Sequence, residues 1–519
     1  MKANDKNVIV AAIDVGSYAI SMKIAEISNA SSDVKILENV RHTVTLGRDS
    51  FTLGKVSFET VYETCEVLKK FKQLMSEYGI RTYKAVATSA IREASNRDYI
   101  INLIKLKTGL DIEVIGNSQE RYLTYKVIEE QIPDYKKIRS EGGILVEIGS
   151  GSIQIFTFYN NELELFQNIR LGSLRIRELL STLEARTLDF PKILEEYIAS
   201  SIDNIRFFQS QESFLNLMVI SGDIMMMSSL YKKSNSNQES KFISKENFDL
   251  LYKDLLYKSL YTIRKELNMP QESAEILLPS IMIFKKFLDI TISDKIYIPI
   301  INLVDGVMHD LYEKCINSGM KDRYEEDILT SARFIAQKFR FQETHVQDVD
   351  SKAMALFDGL KKLHELGERE RFLLKLAVIL HDTGKFISLN EHYLHSYEIV
   401  MACEILGISK KELEIVANIS RYHSKEIPSV GHANFMQMDE TNRLVTAKLV
   451  ALIRIADALD RSHKQKISEI KVTFENNEVT VRVDSTEDIL LEEWAFETKA
   501  EFFQEVFGIA PVIRIKRRI

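Results

Sequence analysis

VEIGSGSIQIF (residues 146–156) reads as strand, glycine turn, strand, with one carboxylate, Glu147, at the bend. Taken alone it fits an ordinary hairpin as well as a turn whose exposed backbone N–H groups receive phosphate oxygens. A second stretch shifts the balance. AAIDVGSYAISM (11–22) repeats the order of apolar run, acid, aliphatic residue, glycine and serine before another strand. Two matching acid-Gly-Ser turns point to an internal duplication, with the turns facing each other across a cleft; coincident hairpins are the alternative. Facing carboxylates repel phosphate unless a divalent cation lies between them.

The bulk numbers bound what such a cleft can belong to. At 519 residues the chain exceeds a single core; at about 150 residues per domain it suggests three or four. Hydrophobic content of 45% with 28% charged residues is that of a globular protein. A net charge of −7 argues against general nucleic-acid binding, which needs a basic surface. Anions must then be held by local sites. Cys65, Cys315 and Cys403 are too few and too scattered for a disulfide framework or a zinc knuckle. No apolar run reaches membrane-spanning length and no signal-peptide pattern opens the chain, so no membrane is expected and a cytoplasmic location is.

SFETVYETCEVLKKFKQLMSEYGI (57–80) carries helical apolar spacing, YKAVATSA (83–90) reads as a strand, and a further helical stretch runs from Ile91 to Lys107. The second turn then restarts the pattern. A polar loop, KKSNSNQESK (232–241), reads as a surface insertion. From about residue 322 the texture becomes almost continuously helical, and EIKVTFENNEVTVRV (469–483) reads as a hairpin before a helix and a last strand. Four domains are expected: lobes over 1–130 and 131–318, a helical domain over 319–465 and a small α+β domain over 466–519.

Eight of the ten histidines lie after residue 340. His345, the adjacent His381 and Asp382 in VILHDTGKF, His395, His423 and Asp457 stand in helical context, and imidazole with carboxylate suits borderline divalent metals. Asp382 and Asp457 interrupt apolar helical runs, where an unpaired charge is costly and metal ligation would compensate it. Buried His and Asp that bond each other or cap helices are the alternative. The constellation resembles the HD superfamily of metal-dependent phosphohydrolases. That resemblance implies His345, His381, Asp382 and Asp457 as ligands of a first metal, with His395 and His423 where some two-metal members place extra ones. His364, His392, His432 and His463 read as surface residues.

Over nearly its full length the sequence resembles the exopolyphosphatase / guanosine pentaphosphate phosphohydrolase (Ppx/GppA) family in its long form. The stretches are IDVGSYAISMKIAEI, VTLGRDSFTLGKVS, AVATSAIREASNRDYI, EVIGNSQERYLTY, VEIGSGSIQIF, IRLGSLRI, RYHSKEIPS and LIRIADALDRSHKQ. The resemblance implies an α/β fold class: two actin-like ATPase (ribonuclease H-like) lobes, then an all-α HD-type domain and a small α+β C-terminal domain. It implies Asp14, Gly16 and Ser17 as the first phosphate loop and Gly149, Ser150, Gly151 and Ser152 as the second. Asp14 and Glu147 would bind a Mg²⁺ or Mn²⁺ ion. Arg92 matches the arginine that engages phosphate, where a guanidinium fork suits two oxygens. Glu120 matches the glutamate that activates water. Polyphosphate or guanosine pentaphosphate is the implied ligand; homodimerisation is left open.

The pattern is not intact. Tyr18 replaces an asparagine, Glu147 an aspartate, Ile153 a hydroxyl residue and Gln154 a carboxylate, while Asp223 brings an acid to a later turn that usually reads Gly-Gly-Thr. Losing a principal charge-stabilising group typically costs about 10²–10³ in rate. Three expectations follow in order: a phosphoanhydride hydrolase at the lobe interface, a metal-dependent phosphohydrolase in the HD-type domain, and a weakened polyanion-binding regulator.

Overall fold

Val8–Val15, the near-continuous apolar run before the first turn, is β1, and it is covered on both faces. Ala11, Ile13 and Val15 point to one core with Val61, Leu68, Phe71 and Ile104, while Val10 and Ala12 point to another with Val304, Val307 and Leu311. A strand buried on both sides has no need to alternate apolar with polar, which is why β1 does not. The computed structural model describes residues 7–28, 34–132, 134–184, 186–187, 189–204, 214–221, 242–299, 301–316 and 321–517. The polar insertion 232–241 and Asp223 lie outside them. The chain divides into two compact units, Met1–Tyr324 and Glu325–Ile519.

The first unit holds two sheets. β1 pairs antiparallel with β2 (Ala19–Ile27), which pairs with β3 (Val34–Thr43); on its other side β1 runs parallel to β4 (Thr82–Ala87), which is followed by β5 (Glu113–Val114). In the second sheet β6 (Gly143–Ile148), β7 (Ile153–Tyr159) and β8 (Glu162–Ile169) repeat the meander. β9 (Asn216–Ile220) lies parallel to β6, followed by β11 (Lys295–Tyr297) and, at the edge, β10 (Phe242–Ser244). Orders β3-β2-β1-β4-β5 and β8-β7-β6-β9-β11 correspond strand for strand. The register does too: Asp14 faces Ser21, and Glu147 faces Gln154.

Two helices tie the sheets together. The helix Asn117–Gln131 presents Leu123 to the first sheet's core, and its Tyr125 stacks on Phe156 of β7 at 5.8 Å. The helix Leu303–Ile316 falls within the segment expected to form the second lobe, yet it covers the first sheet through Val304, Val307, Met308 and Leu311. It crosses the Asn117–Gln131 helix at Gly306, where a Cβ would lie 2.2 Å from the Leu123 carbonyl oxygen. Charges fix the crossing: Lys126, buried, contacts Asp310 at 3.3 Å and also Glu313, and Lys84 reaches Asp310 at 2.8 Å. Burial alone would raise the Asp310 carboxyl, but Lys84 foremost, then Lys126 and Lys314, holds it well below the usual carboxylate range.

The second unit is helical up to residue 465 and ends in a three-stranded sheet, β12 (Glu469–Glu475), β13 (Glu478–Ser485) and β14 (Pro511–Arg517). Asn476 and Asn477 both take positive φ, 50° and 60°, which closes the β12–β13 hairpin as a two-residue turn. The expected helical stretch from Ile91 is broken instead: one turn, Ser89–Glu93, ends at Ala94, and Arg97–Thr108 starts afresh.

Candidate active site and candidate metal centre

The twin turns close identically. Gly16 N–H donates to the Ala19 carbonyl at 3.0 Å and Gly149 N–H to the Ser152 carbonyl at 3.0 Å. A Cβ at either glycine would crowd that same carbonyl, at 2.9 Å and 3.1 Å, so both turns need the bare backbone. Both turns line one cavity of about 180 Å³ together with Asp14, Glu120, Glu147 and Gln154. They also approach each other: the Ser17 hydroxyl lies 2.8 Å from that of Ser89, and a Cβ on Gly151 would lie 2.5 Å from the same Ser89 oxygen.

The second loop's carbonyls are tied down behind it. Gly149 and Ser150 accept from the N–H groups of Ser173 and Arg175, at 3.1 and 3.0 Å, where the helix Ser173–Glu184 begins. Gly151 accepts from the Arg175 guanidinium at 2.7 Å, and the same guanidinium reaches both oxygens of Glu93 at 2.8 Å. Arg175 thus joins the second loop to the short helix Ser89–Glu93, which carries Ser89 and Arg92.

Asp14 and Glu147 are the second-to-last residues of β1 and β6. Their Oδ1 and Oε2 atoms are buried without a hydrogen-bond partner. Burial pushes the Asp14 carboxyl up to about 8, with Glu120 adding to the rise and Arg41 opposing it. Burial likewise lifts Glu147 to about 8, helped by Glu120 and Asp14 and resisted by Arg121 and by a hydrogen bond from Thr124. Partnerless buried oxygens on two like-charged acids are a donor set that fits a divalent cation.

Glu120 sits in the first turn of the Asn117–Gln131 helix, where the dipole favours its charge. Arg92 does not line the cavity. Its guanidinium donates to Glu120 Oε2 at 3.0 Å and to the Ile115 carbonyl at 2.8 Å, so here it orients the glutamate. Arg41, which sequence reasoning passed over, does line the cavity. Nothing in ENVRHT marks it, because its place depends on strand pairing.

The second unit gathers a different set. His381 and Asp382 follow the helix Glu368–Leu380, His423 follows Lys410–Tyr422, and Asp457 lies in the last turn of Glu440–Ala458. Three helix C-termini, each a negative dipole end, converge there and favour a cation. Four imidazoles are set alike. Each Nδ1 faces an oxygen: that of His381 the Val378 carbonyl (2.7 Å), His423 the Ser420 carbonyl (2.7 Å), His345 the Asp460 carboxylate (2.8 Å) and His392 the Leu389 carbonyl (3.3 Å). A hydrogen bond from Nδ1–H leaves Nε2 as a lone-pair donor aimed inward.

Asp382 divides the Nε2 atoms into two sets. Its Oδ2 lies 3.7 Å from His345 and 3.5 Å from His381, and its Oδ1 3.5 Å from both His392 and His423. His345 Nε2 is also 3.5 Å from Asp457. Among the described residues, His345, His381 and Asp457, and likewise His381, Asp382 and His423, bring donor atoms within 4.8 Å of one another. Burial would lower His345, but Asp457 and Asp460 push it up to about 9; burial holds His381 down at about 3, with His423 and His345 adding to the fall and Asp382 and Asp457 opposing it. Lys385 donates to Asp382 Oδ2 at 2.5 Å.

Several histidines fall elsewhere than expected. His392 belongs to the cluster, whereas His395, three residues along the same helix, faces Glu398 at 4.0 Å. His364 is fully buried and bonds the Phe357 carbonyl at 2.7 Å. His463 stacks on His345 at 3.7 Å, and His432 stacks on Tyr422. Each of the three is held by a ring or backbone partner.

Comparison with known proteins adds to this geometry. The model of the Ppx/GppA phosphatase family matches residues 23–314, and that of Ppx/GppA phosphatase, domain III, matches 329–500. The guanosine-5′-triphosphate,3′-diphosphate pyrophosphatase of Photobacterium profundum is 19% identical over 483 residues, 90% of each chain. Exopolyphosphatase 1 of Mycobacterium tuberculosis is 22% identical over 165 residues, 32% of this chain and 46% of that protein. The crystal structure of an exopolyphosphatase from Cytophaga hutchinsonii aligns with a TM-score of 0.52 at 20% identity, covering 59% of this chain and 98% of that one, a likeness of fold.

Proposed function

The chain belongs to the Ppx/GppA phosphatase family, and from that premise we propose that it hydrolyses a terminal phosphoanhydride, releasing orthophosphate from inorganic polyphosphate or from the 5′ end of guanosine pentaphosphate. The observation that carries this reading is that two matching glycine turns line one cavity with Glu120. The shared strand order supports reading the sheets as two actin-like lobes. With the carbonyls of Gly149, Ser150 and Gly151 engaged behind the loop and the Gly149 N–H closing the turn on Ser152, the N–H groups of Ser150, Gly151 and Ser152 are the ones left for phosphate. Arg92 aims Glu120, and Glu120 orients the attacking water and accepts its proton. Asp14 and Glu147 would hold a Mg²⁺ or Mn²⁺ ion, which supplies charge neutralisation on the phosphoryl oxygens. Among the described residues no helix is long and apolar enough to cross a membrane, and we place the reaction in the cytoplasm.

A second reading is favoured by the inward-facing Nε2 atoms: the helical domain is HD-type, and its cluster would hold one or two divalent ions and act on a phosphoester. One experiment separates the two. Protein with Mg²⁺ and polyphosphate should release orthophosphate, Glu120→Gln should abolish release, and His381→Ala should leave it intact. Release that survives Glu120→Gln and vanishes with His381→Ala would assign the chemistry to the second unit.

A further inference from the structure

A polyanion entering the cleft needs a cation to meet it, and the cleft has few. Of the described side chains that line the cavity, Asp14, Glu120, Glu147 and Arg41 carry charge, and Arg41 alone is basic. The neighbouring guanidinium groups are engaged: Arg92 by Glu120 and the Ile115 carbonyl, Arg175 by Glu93 and Gly151. Arg121 is fully buried with its guanidinium 4.5 Å from the Phe166 ring centre.

Arg41 differs from all three. It is exposed, and among the described residues its guanidinium has neither a hydrogen bond nor an ion pair. Strand register places it: Arg41 on β3 is opposite Ser21 on β2, and Ser21 is opposite Asp14 on β1. Directly opposed residues project to the same face, so the three form a row across the sheet. Two strand spacings separate the ends of that row, about 10 Å. The small Ser21 between them leaves the line open, and the charge on Arg41 already acts on the Asp14 carboxyl. In the second lobe the corresponding row is Glu147, Gln154 and Asn168, with no cation at the matching place.

We propose that Arg41 binds the phosphate groups behind the scissile anhydride, and so makes the first lobe the side on which the substrate's phosphate chain lies. The proposal rests on the hydrolase reading above. With a terminal phosphate at the paired turns, Arg41 lies too far along the row to touch the reacting phosphorus and in the right place to grip the second or third phosphate. A guanidinium forks onto two phosphate oxygens, so lysine is a partial substitute.

The test compares wild type, Arg41→Ala and Arg41→Lys with Mg²⁺, using tripolyphosphate and long-chain polyphosphate. A contact made equally in ground and transition states appears in KM and not in kcat. The expected result for Arg41→Ala is a KM raised roughly ten- to a hundredfold, the range of one charge-assisted contact, with kcat within about threefold of wild type. Arg41→Lys should recover part of the loss, and the gap between variants should narrow as salt rises, since the site is open to solvent. A KM within about twofold of wild type, or a kcat loss at unchanged KM, overturns the proposal. If wild type releases no phosphate, the hydrolase reading falls by itself, and calorimetric binding of tripolyphosphate then decides Arg41. Affinity weakened by the same factor in Arg41→Ala upholds its role; equal affinity ends it.

Discussion

Replacing Gly306 by alanine should cripple catalysis from beneath the active site. The new Cβ would lie 2.2 Å from the Leu123 carbonyl oxygen and 2.4 Å from its carbon. Ordinary contact begins at 3.4 Å, so the two helices must part by about 1.2 Å. The atoms struck belong to the backbone, which has no rotamer to escape into, so the upper end of the overpacking range applies, about 3 kcal/mol. Alanine returns about 1 kcal/mol through helix propensity, leaving a net loss of about 2 kcal/mol. Leu123 stands three residues after Glu120 on the same helix, so the shift reaches the carboxylate proposed to activate water almost undiminished. A misplacement of about 1 Å is enough to lower turnover about 10²-fold. Steady-state phosphate release, run beside thermal unfolding, checks this: kcat should fall by about that factor in a protein that still unfolds cooperatively a few degrees earlier. A variant with wild-type kcat would refute the idea that this crossing sets the position of Glu120.

Two further outcomes follow from the cleft. Asp14 and Glu147 have raised carboxyl pKa values, each about 8, so in metal-free protein their contribution to stability is whole below the ordinary carboxylate range and is lost as pH climbs through about 8. On the proposed reading Mg²⁺ would bind the deprotonated pair, so its stabilising effect on thermal unfolding should grow between about pH 6 and about pH 9. Asp14→Asn combined with Glu147→Gln should flatten that dependence. Arg175→Ala should free the Gly151 carbonyl and release Glu93, raising KM and lowering kcat together by about tenfold each, because the loop proposed to bind and position phosphate would move. Arg175→Lys should restore little, since an ammonium cannot hold one carbonyl and two carboxylate oxygens at once.

The twin turns were legible because their chemistry is local: each requires a glycine at the bend, and acid, glycine and serine fall within four residues. The first sheet's second cover was not. Nothing in LVDGVMHDLYEKCI says which sheet it will roof, because an amphipathic helix fits any apolar face of suitable curvature. The resemblance of ATSAIREASN to the family motif implies Arg92 as a phosphate ligand, yet Glu120 stands within reach and takes the guanidinium. For His392 and His395 the obstacle was phase. Three residues apart on one helix, they face directions that only the packing distinguishes, and His392 turns inward while His395 keeps a third of its side chain in solvent.

The return of residues 303–316 to the first sheet makes the order of the chain matter for any shortened version of it. A fragment cut just before residue 303 would keep every residue of both turns, and would still strip Val10, Ala12, Ala25 and Val86 of their cover. The smallest piece able to stand alone therefore has to include that closing segment. Half of such a protein is no lobe; the N-terminal sheet is finished only when synthesis has passed through the second one and come back.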